Sequence, residues 1–475
     1  MDAILTNEKK QFQKEQDQLL QTLLDLRFFQ PWKTLTKFND DKSLQRDSNL
    51  ELYLTNSCNQ TCEYCYLQKY PELYPKEFNK PEIIIKNLHK ICKWILVNNF
   101  KIPCIDIFTG DIWGSQFGWD VLDVLYSYML RGMAPNIGHI LIPSNCSFVN
   151  NPKALQRVQQ YIDKFNDIGT PLIFSISIDG KIIDNEGRPD NYTPFKYTDD
   201  YYDVIATFAK VNDFYFHPMI SPHNVHLWKE NYKWWRDYLK KYDRNLRTLM
   251  LLEVRDADWT DEAIQDYCDL MRVIMDDMLH TICHDNKEAF AGAILNTHKL
   301  YQETFLGGYV PWIIGFCDTF AGCTVSTHLT IRVGDLAICP CHRTAYNQYL
   351  YGYLLEENGN LTTKVKAVNP QMAIKILMNN LLTGTPLCDK CIYNQVCLHG
   401  CYGSQLESEN DPFFPSANVC KFFKRKIASI LKYYEEKGVI DFLKSIGPND
   451  LDGAHIIMIL QLYENAKEAP EWLGN

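Results

Sequence analysis

Six short apolar segments recur through the first half of this 475-residue chain, and they constrain its fold more than any other feature. Each is rich in Ile, Val, Leu or aromatic residues and too short for a typical helix, which predicts strands buried on both faces. The segments are residues 50–55, 104–110, 139–145, 172–180, 214–221 and 249–254.

Helical patterns separate these segments. The clearest begins at Pro81 and carries Ile84, Leu88, Ile91 and Ile95 on one face. Strands that alternate with helices predict right-handed βαβ units and a parallel sheet. We therefore expect an α/β fold with a partial (β/α)6 TIM barrel, whose site lies at the C-terminal ends of the strands.

Composition and charge narrow the function classes. No apolar run is long enough to cross a bilayer and no signal peptide opens the chain, so we expect a cytoplasmic protein without a membrane partner. A formal net charge of −10 without a dense basic tract argues against nucleic acid as the main partner. Seventeen cysteines in such a chain indicate metal ligation rather than disulfides, because cytosolic reductants keep thiols reduced.

Three cysteines, Cys58, Cys62 and Cys65, directly follow the first predicted strand with the spacing C-x₃-C-x₂-C. Zinc sites of this kind use C-x₂-C pairs and four ligands, and no fourth Cys or His follows nearby. Three thiolates in one loop can instead hold three irons of a [4Fe–4S] cluster. The fourth iron then stays open to a small molecule.

The segment CNQTCEYC resembles the CxxxCxφC signature of radical S-adenosylmethionine (SAM) enzymes, with Tyr64 at the aromatic position. The resemblance implies that SAM chelates the open iron and is cleaved to a 5′-deoxyadenosyl radical, with electrons from a low-potential reductant of the flavodoxin or ferredoxin type.

Later strand ends extend this resemblance. FTGDIWG is similar to the family's GGE-type segment, but Thr109 replaces a glycine and Asp111 replaces the glutamate. The SAM contacts that the resemblance implies are Gly110, Asp111, Ser144, Asn145, Ser177 and Arg188. The alternative for each of these residues is a structural role, such as a βα turn, a helix cap, a β-turn or a surface charge.

A second cysteine group follows the order C-x₅-C-x₁₅-C, then C-x₂-C-x₅-C-x₃-C, then a last cysteine. This order resembles the SPASM domain of radical SAM enzymes that modify peptides and proteins. The resemblance implies two auxiliary [4Fe–4S] clusters, three clusters in all, and a pair of structural zinc sites is the alternative. The implied ligands are Cys317, Cys323, Cys339 and Cys401 for one cluster, and Cys388, Cys391, Cys397 and Cys420 for the other.

The chain divides, on this interpretation, into five parts. They are an N-terminal helical segment (1–47), a radical SAM barrel (48–257), a helical bridge (258–316), a cysteine-rich iron–sulfur domain (317–424) and C-terminal helices (425–475). The first part is shorter than a usual domain, so we expect it to pack on the barrel. A leader peptide would then be bound by a separate protein or by the barrel and extension surfaces.

The resemblance implies a peptide or protein substrate. We favour maturation of a ribosomally made peptide through a thioether or carbon–carbon crosslink or an epimerisation; formylglycine formation by an anaerobic sulfatase maturase is the first alternative. A non-catalytic iron–sulfur scaffold or electron carrier and an RNA-modifying enzyme are further alternatives.

Five side chains are candidates for the chemistry on the substrate. Glu253 and Asp256, after the sixth predicted strand, are candidate bases, although a structural salt bridge with Arg255 is the favoured role for at least one of them. Cys341 is a spare cysteine, a cluster ligand or a hydrogen-atom donor that would make the protein an epimerase. His217 and His342 are further candidates, although a histidine beside aromatic residues is more often a core residue with its hydrogen bonds satisfied.

Overall fold

The structure is a computed structural model in which two compact units are distinguished. No helix among the described residues is long and apolar enough to cross a membrane. One unit comprises residues 1–177, 189–214 and 324–380, and the other comprises residues 178–188, 215–323 and 381–475. The residues described are 2–34, 49–73, 78–108, 110–187, 197–212, 216–242, 249, 251–254, 257–290, 328–379, 388–393, 401–409, 411–414, 416–446 and 453–469.

An eight-stranded sheet forms the centre of the first unit, in the order β10-β9-β8-β7-β1-β2-β3-β4. Strands β1 to β4 and β7 run parallel, whereas β8, β9 and β10 continue the sheet as antiparallel neighbours. The bounds are Asn49–Tyr53 (β1), Ile102–Phe108 (β2), Ile137–Ser144 (β3), Leu172–Ile176 (β4), His328–Arg332 (β7), Ala337–Cys339 (β8), Gly352–Glu357 (β9) and Asn360–Ala367 (β10).

The helices of the first unit bury their apolar faces. Helix α4 begins at Pro81 and ends before Asn99, whose φ of 52° closes the helix in the left-handed conformation. Its predicted face, from Ile84 to Ile95, is fully buried. The helices are Asp2–Leu24 (α1), Gln30–Thr34 (α2), Tyr66–Lys69 (α3), Pro81–Asn98 (α4), Gln116–Tyr128 (α5), Pro152–Asp167 (α6), Asp199–Asn212 (α8) and Pro370–Asn379 (α11).

The N-terminal segment packs on the sheet, as predicted. The carboxylate of Asp17 accepts the backbone N–H of Ala367 at 2.7 Å, and the amide of Gln21 bonds the backbone of Thr363 and Val365. Further along the segment, the Trp32 ring meets that of Phe100, 5.5 Å between centroids. Helix α1 therefore lies along the outer edge of β10.

The second unit contains the fifth and sixth predicted strands, Met219–Ile220 (β5) and Leu252–Glu253 (β6), which pair in a parallel sheet of their own. In the described residues only the first four predicted strands therefore share one sheet. Helices α10 and α13 pack together and form most of this unit's core. The helices are Lys181–Gly187 (α7), Trp228–Lys241 (α9), Asp261–Asp277 (α10), Tyr402–Glu409 (α12), Ala417–Glu436 (α13), Val439–Ile446 (α14) and Gly453–Ala466 (α15).

Candidate functional site

The three-cysteine loop follows β1 at the C-terminal edge of the sheet. Cys62 is buried, and Cys58 and Cys65 are half-buried. The backbone N–H of Cys65 donates to the Cys62 carbonyl at 3.0 Å, and helix α3 starts at the next residue. The loop is thus a compact turn that carries all three thiols, with the half-buried Tyr64 between the last two.

Two polar side chains inside the loop anchor it to the rest of the unit. The buried Gln60 donates from Nε2 to the Tyr197 hydroxyl at 2.7 Å. Asn59 donates to the Ser147 hydroxyl at 2.6 Å and accepts from the Asn145 amide at 2.9 Å. Sequence reasoning missed these anchors, because their partners come 86 to 137 residues later in the chain.

Gly110 lies directly against the cysteine loop. Its backbone N–H donates to the Thr55 carbonyl at 2.8 Å, and that of Asp111 donates to the Ser57 carbonyl at 2.8 Å. A Cβ at position 110 would lie 1.9 Å from the Ser57 oxygen and 2.9 Å from the Cys58 nitrogen. Only glycine permits this approach of the two backbones. Thr109, before it, lies outside the described residues.

Three of the predicted SAM contacts meet beside this loop. Asp111 Oδ2 accepts from the Ser144 hydroxyl at 2.8 Å and from the Asn145 backbone N–H at 2.7 Å. The backbone N–H of Ser177 donates to the Ser144 carbonyl at 2.8 Å, which brings the end of β4 to the same place. Arg188 lies outside the described residues.

The thiols have an acidic neighbour. Burial raises the pKa of the Cys58 thiol, and the Asp111 carboxylate, Cys62 and Cys65 raise it further. A metal ligand must be a thiolate, so loading the loop would release protons. Among the described residues, no three Cys, His, Asp or Glu side chains surround a single ion position. A [4Fe–4S] cluster binds each thiolate through a different iron, and the donor set of three thiols on one turn fits such a cluster.

Comparison with known proteins bears on the fold. No protein-family model matches the chain, and no curated protein matches it either. Among solved structures, anSMEcpe with bound AdoMet and Cp18Cys peptide matches with a TM-score of 0.54 at 12% identity, covering 84% of this chain and 99% of that chain. The structure of polyhistidine-tagged anSMEcpe with bound AdoMet matches with a TM-score of 0.53 at 12% identity, covering 83% and 98%.

The chain shares its fold with these anSMEcpe structures. The predicted α/β fold with a parallel sheet is confirmed, whereas the chemistry predicted from CNQTCEYC stays a prediction. Within this fold, Asp111 joins the segment after β2 to the loop after β1 and to the end of β3.

The second cysteine group of the chain is described in part. Cys339 ends β8 and is buried, and its burial raises the pKa of its thiol to about 12. The buried Cys341 has its sulfur 3.4 Å from the Thr344 hydroxyl. Cys317, Cys323 and Cys397 lie outside the described residues.

Three predicted ligands of the other auxiliary cluster lie near one another in the second unit. The backbone N–H of Cys391 donates to the Cys388 carbonyl at 2.9 Å. Burial raises the pKa of the Cys420 thiol, and Cys388 and Cys391 contribute to the rise. The half-buried Cys401 lies one residue before α12, in the same unit.

The candidate base Glu253 has the surroundings of a structural ion pair. Its carboxylate accepts from Lys426 Nζ and from the Tyr267 hydroxyl, the latter at 2.6 Å. Both charged side chains are nearly fully buried, 2% exposed for Lys426 and 5% for Glu253. These contacts favour a structural role for Glu253. Asp256 and Arg255 lie outside the described residues.

Proposed function

We propose that this protein is a radical SAM enzyme that modifies a residue of a peptide or protein. The observation that carries the proposal is the junction of the three-cysteine loop with Gly110 and Asp111 at the C-terminal edge of a parallel sheet. Ligand sites of parallel α/β folds lie at this edge. The matched anSMEcpe structure with bound AdoMet and Cp18Cys peptide supports the substrate class.

In this proposal Cys58, Cys62 and Cys65 hold a [4Fe–4S] cluster that supplies the reductive cleavage of SAM. The backbone at Gly110 lets SAM approach the loop closely, and Asp111 offers a carboxylate to the SAM ammonium. Arg188 pairs with the SAM carboxylate, since a guanidinium fork matches that geometry. Remaining contacts to SAM come from Tyr64, Ser144, Asn145 and Ser177.

The second cysteine group is proposed to hold two auxiliary clusters with the ligands given by the SPASM resemblance. Cys388 and Cys391 both raise the pKa of the Cys420 thiol, which supports the ligand set that contains these three cysteines. Such clusters can accept the electron that a substrate radical releases. We also propose Cys341, whose sulfur contacts the Thr344 hydroxyl, as a hydrogen-atom donor.

The finer proposal is maturation of a ribosomally synthesised peptide by a thioether or carbon–carbon crosslink or by epimerisation, with a low-potential flavodoxin or ferredoxin as reductant. The second candidate is formylglycine formation, which the fold likeness to anSMEcpe, an anaerobic sulfatase-maturating enzyme, favours. Mass analysis of a cysteine-containing peptide after turnover distinguishes an aldehyde product from a crosslink or an unchanged mass.

Iron counting after anaerobic reconstitution tests the proposal. We expect about twelve irons in the wild type and about eight in the Cys58→Ala/Cys62→Ala/Cys65→Ala variant, together with loss of 5′-deoxyadenosine formation. Cys92→Ala is the control, because Cys92 is buried in α4. Zinc in place of iron, or SAM cleavage that survives the triple change, would overturn the proposal.

A further inference from the structure

A buried carboxylate and a histidine are joined at the C-terminal edge of the sheet in the first unit. Glu51 lies in the middle of β1, and its side chain is 1% exposed. Its Oε1 lies 2.7 Å from His342 Nδ1. Its Oε2 accepts from the backbone N–H of His342 at 2.7 Å and from the Thr330 hydroxyl at 2.5 Å. The carboxylate therefore holds His342 through both ring and backbone.

Aromatic neighbours fix the plane of the imidazole. The His342 ring stacks on Phe108, the last residue of β2, with centroids 3.7 Å apart and planes within 2°. The Tyr66 ring, directly after Cys65, is 6.2 Å away. The ring thus lies between the end of β2 and the end of the three-cysteine loop. Its side chain is 23% exposed, so solvent reaches it.

The two ring nitrogens have different surroundings. Nδ1 faces Glu51, whereas Nε2 has no hydrogen-bond partner among the described residues. Behind Glu51, His328 lies 4.0 Å from its carboxylate and 3.7 Å from that of Asp106. On the outer side, the Arg343 guanidinium lies over the Tyr66 ring at 5.0 Å.

An ionised Glu51 selects one form of the imidazole. Burial raises the pKa of Glu51, but His342, His328 and the Thr330 hydroxyl together lower it to about 2. At neutral pH the carboxylate is charged and accepts the proton on Nδ1. In the neutral imidazole, this hydrogen bond at Nδ1 leaves the lone pair on Nε2.

We propose that His342 Nε2 is the proton acceptor for the substrate, and that Glu51 is its positioning residue. This inference rests on the proposed function and concerns its oxidative outcomes, a crosslink or a formylglycine. There the substrate must lose one hydrogen atom, which the radical derived from SAM would take up, and one electron, which an oxidised iron–sulfur cluster would accept. It also loses one proton, from a thiol, hydroxyl or carbon.

The proton transfer balances on the residues named. The substrate's X–H bond breaks, its electron pair stays on the substrate, and an N–H bond forms at Nε2. The resulting imidazolium is paired with the Glu51 carboxylate. The proton then leaves to water through the exposed side of the ring.

The test compares His342→Gln with His89→Gln, since His89 is exposed on α4 away from the cysteine loop. We expect His342→Gln to keep its iron content and its SAM cleavage but to lose about 10²–10⁴-fold in the rate of product formation. Added imidazole should restore part of the rate in His342→Ala.

A second readout does not depend on turnover. Histidine ¹⁵N NMR of the isolated full-length protein, with His342→Gln for assignment, should report an Nδ1–H tautomer that Glu51→Gln abolishes. If His342→Gln does not fold, Glu51→Gln/His342→Gln removes the buried charge with its partner and takes its place.

The outcomes separate the two proposals. A wild type that forms no 5′-deoxyadenosine contradicts the proposed function. A wild type that cleaves SAM, combined with a His342→Gln variant that makes product at the wild-type rate, contradicts this inference alone. An Nε2–H tautomer in the wild type contradicts it as well.

Discussion

Asp111 Oδ2 accepts a 2.8 Å hydrogen bond from the Ser144 hydroxyl, which ties the segment after β2 to the end of β3. The same oxygen accepts the backbone N–H of Asn145 at 2.7 Å. One carboxylate therefore organises two of the segments that CNQTCEYC led us to examine.

Replacing this carboxylate should weaken SAM binding. In Asp111→Asn the oxygen at the Ser144 and Asn145 donors is lost or turned away, and hydrogen bonds to a charged group contribute about 1.5–3 kcal/mol each. We expect a SAM affinity about tenfold or more below wild type, measured by equilibrium dialysis. Asp163→Asn, on the exposed face of α6, is the control. Equal affinity in both variants would contradict the role of Asp111.

Adding one methyl group at Gly110 should disrupt the three-cysteine loop. The new Cβ would lie 1.9 Å from the Ser57 oxygen, so one of the two backbones must move. We expect Gly110→Ala to take up about four fewer irons on reconstitution, because three thiols hold one four-iron cluster. At Gly114 a Cβ meets only Phe148 at 3.4 Å, so Gly114→Ala should keep its full iron content. The idea fails if the two variants bind the same amount of iron.

The buried Glu253–Lys426 pair should matter for stability more than for chemistry. Lys426→Met leaves a buried carboxylate without its cation, which typically costs about 3–5 kcal/mol in the free energy of unfolding. We expect Glu253→Gln/Lys426→Met to be less destabilised than Lys426→Met alone in urea unfolding. An exposed residue of α10, Glu262, provides the control Glu262→Gln.

Product formation by a Glu253→Gln variant tests whether Glu253 acts as a base. A folded Glu253→Gln protein should still form product. A variant that folds as well as the wild type, cleaves SAM and makes no product would instead identify Glu253 as a base.

Glu51 should make stability depend on acid pH. Its pKa is about 2 in the folded chain against an ordinary value of 4.5, so its ionised form is stabilised by folding. This contribution is present above about pH 4.5 and is lost as the pH falls toward 2; the shift corresponds to about 3 kcal/mol. The difference in unfolding free energy between wild type and Glu51→Gln should shrink between pH 5 and pH 3. A difference that stays constant over that range would contradict the depressed pKa.

Much of the fold follows from local patterns. Buried strands and amphipathic helices differ in apolar spacing, so β1 to β6 and α4 could be predicted from short stretches of sequence. The close approach at Gly110 could be expected from its glycine after a strand. The loop's metal chemistry is a prediction from the cysteine spacing, and the structure adds the neighbours that surround it.

Long-range pairings could not be predicted in this way. Glu51 reads as one polar residue in an apolar strand, and its partner His342 comes 291 residues later. They meet because β7 adds to the sheet beside β1, a pairing that no local pattern specifies. Lys426 and Glu253, 173 residues apart, meet for the same kind of reason.

Helix α1 has a consequence for how copies of this chain behave toward one another. Through Asp17 and Gln21 it occupies backbone groups of β10 that would otherwise offer a template for another strand. A truncated chain that begins after α1 would present that template to its neighbours. The helix therefore protects the edge of β10 from pairing with strands of other copies. Its removal should increase the light scattering of the protein at high concentration.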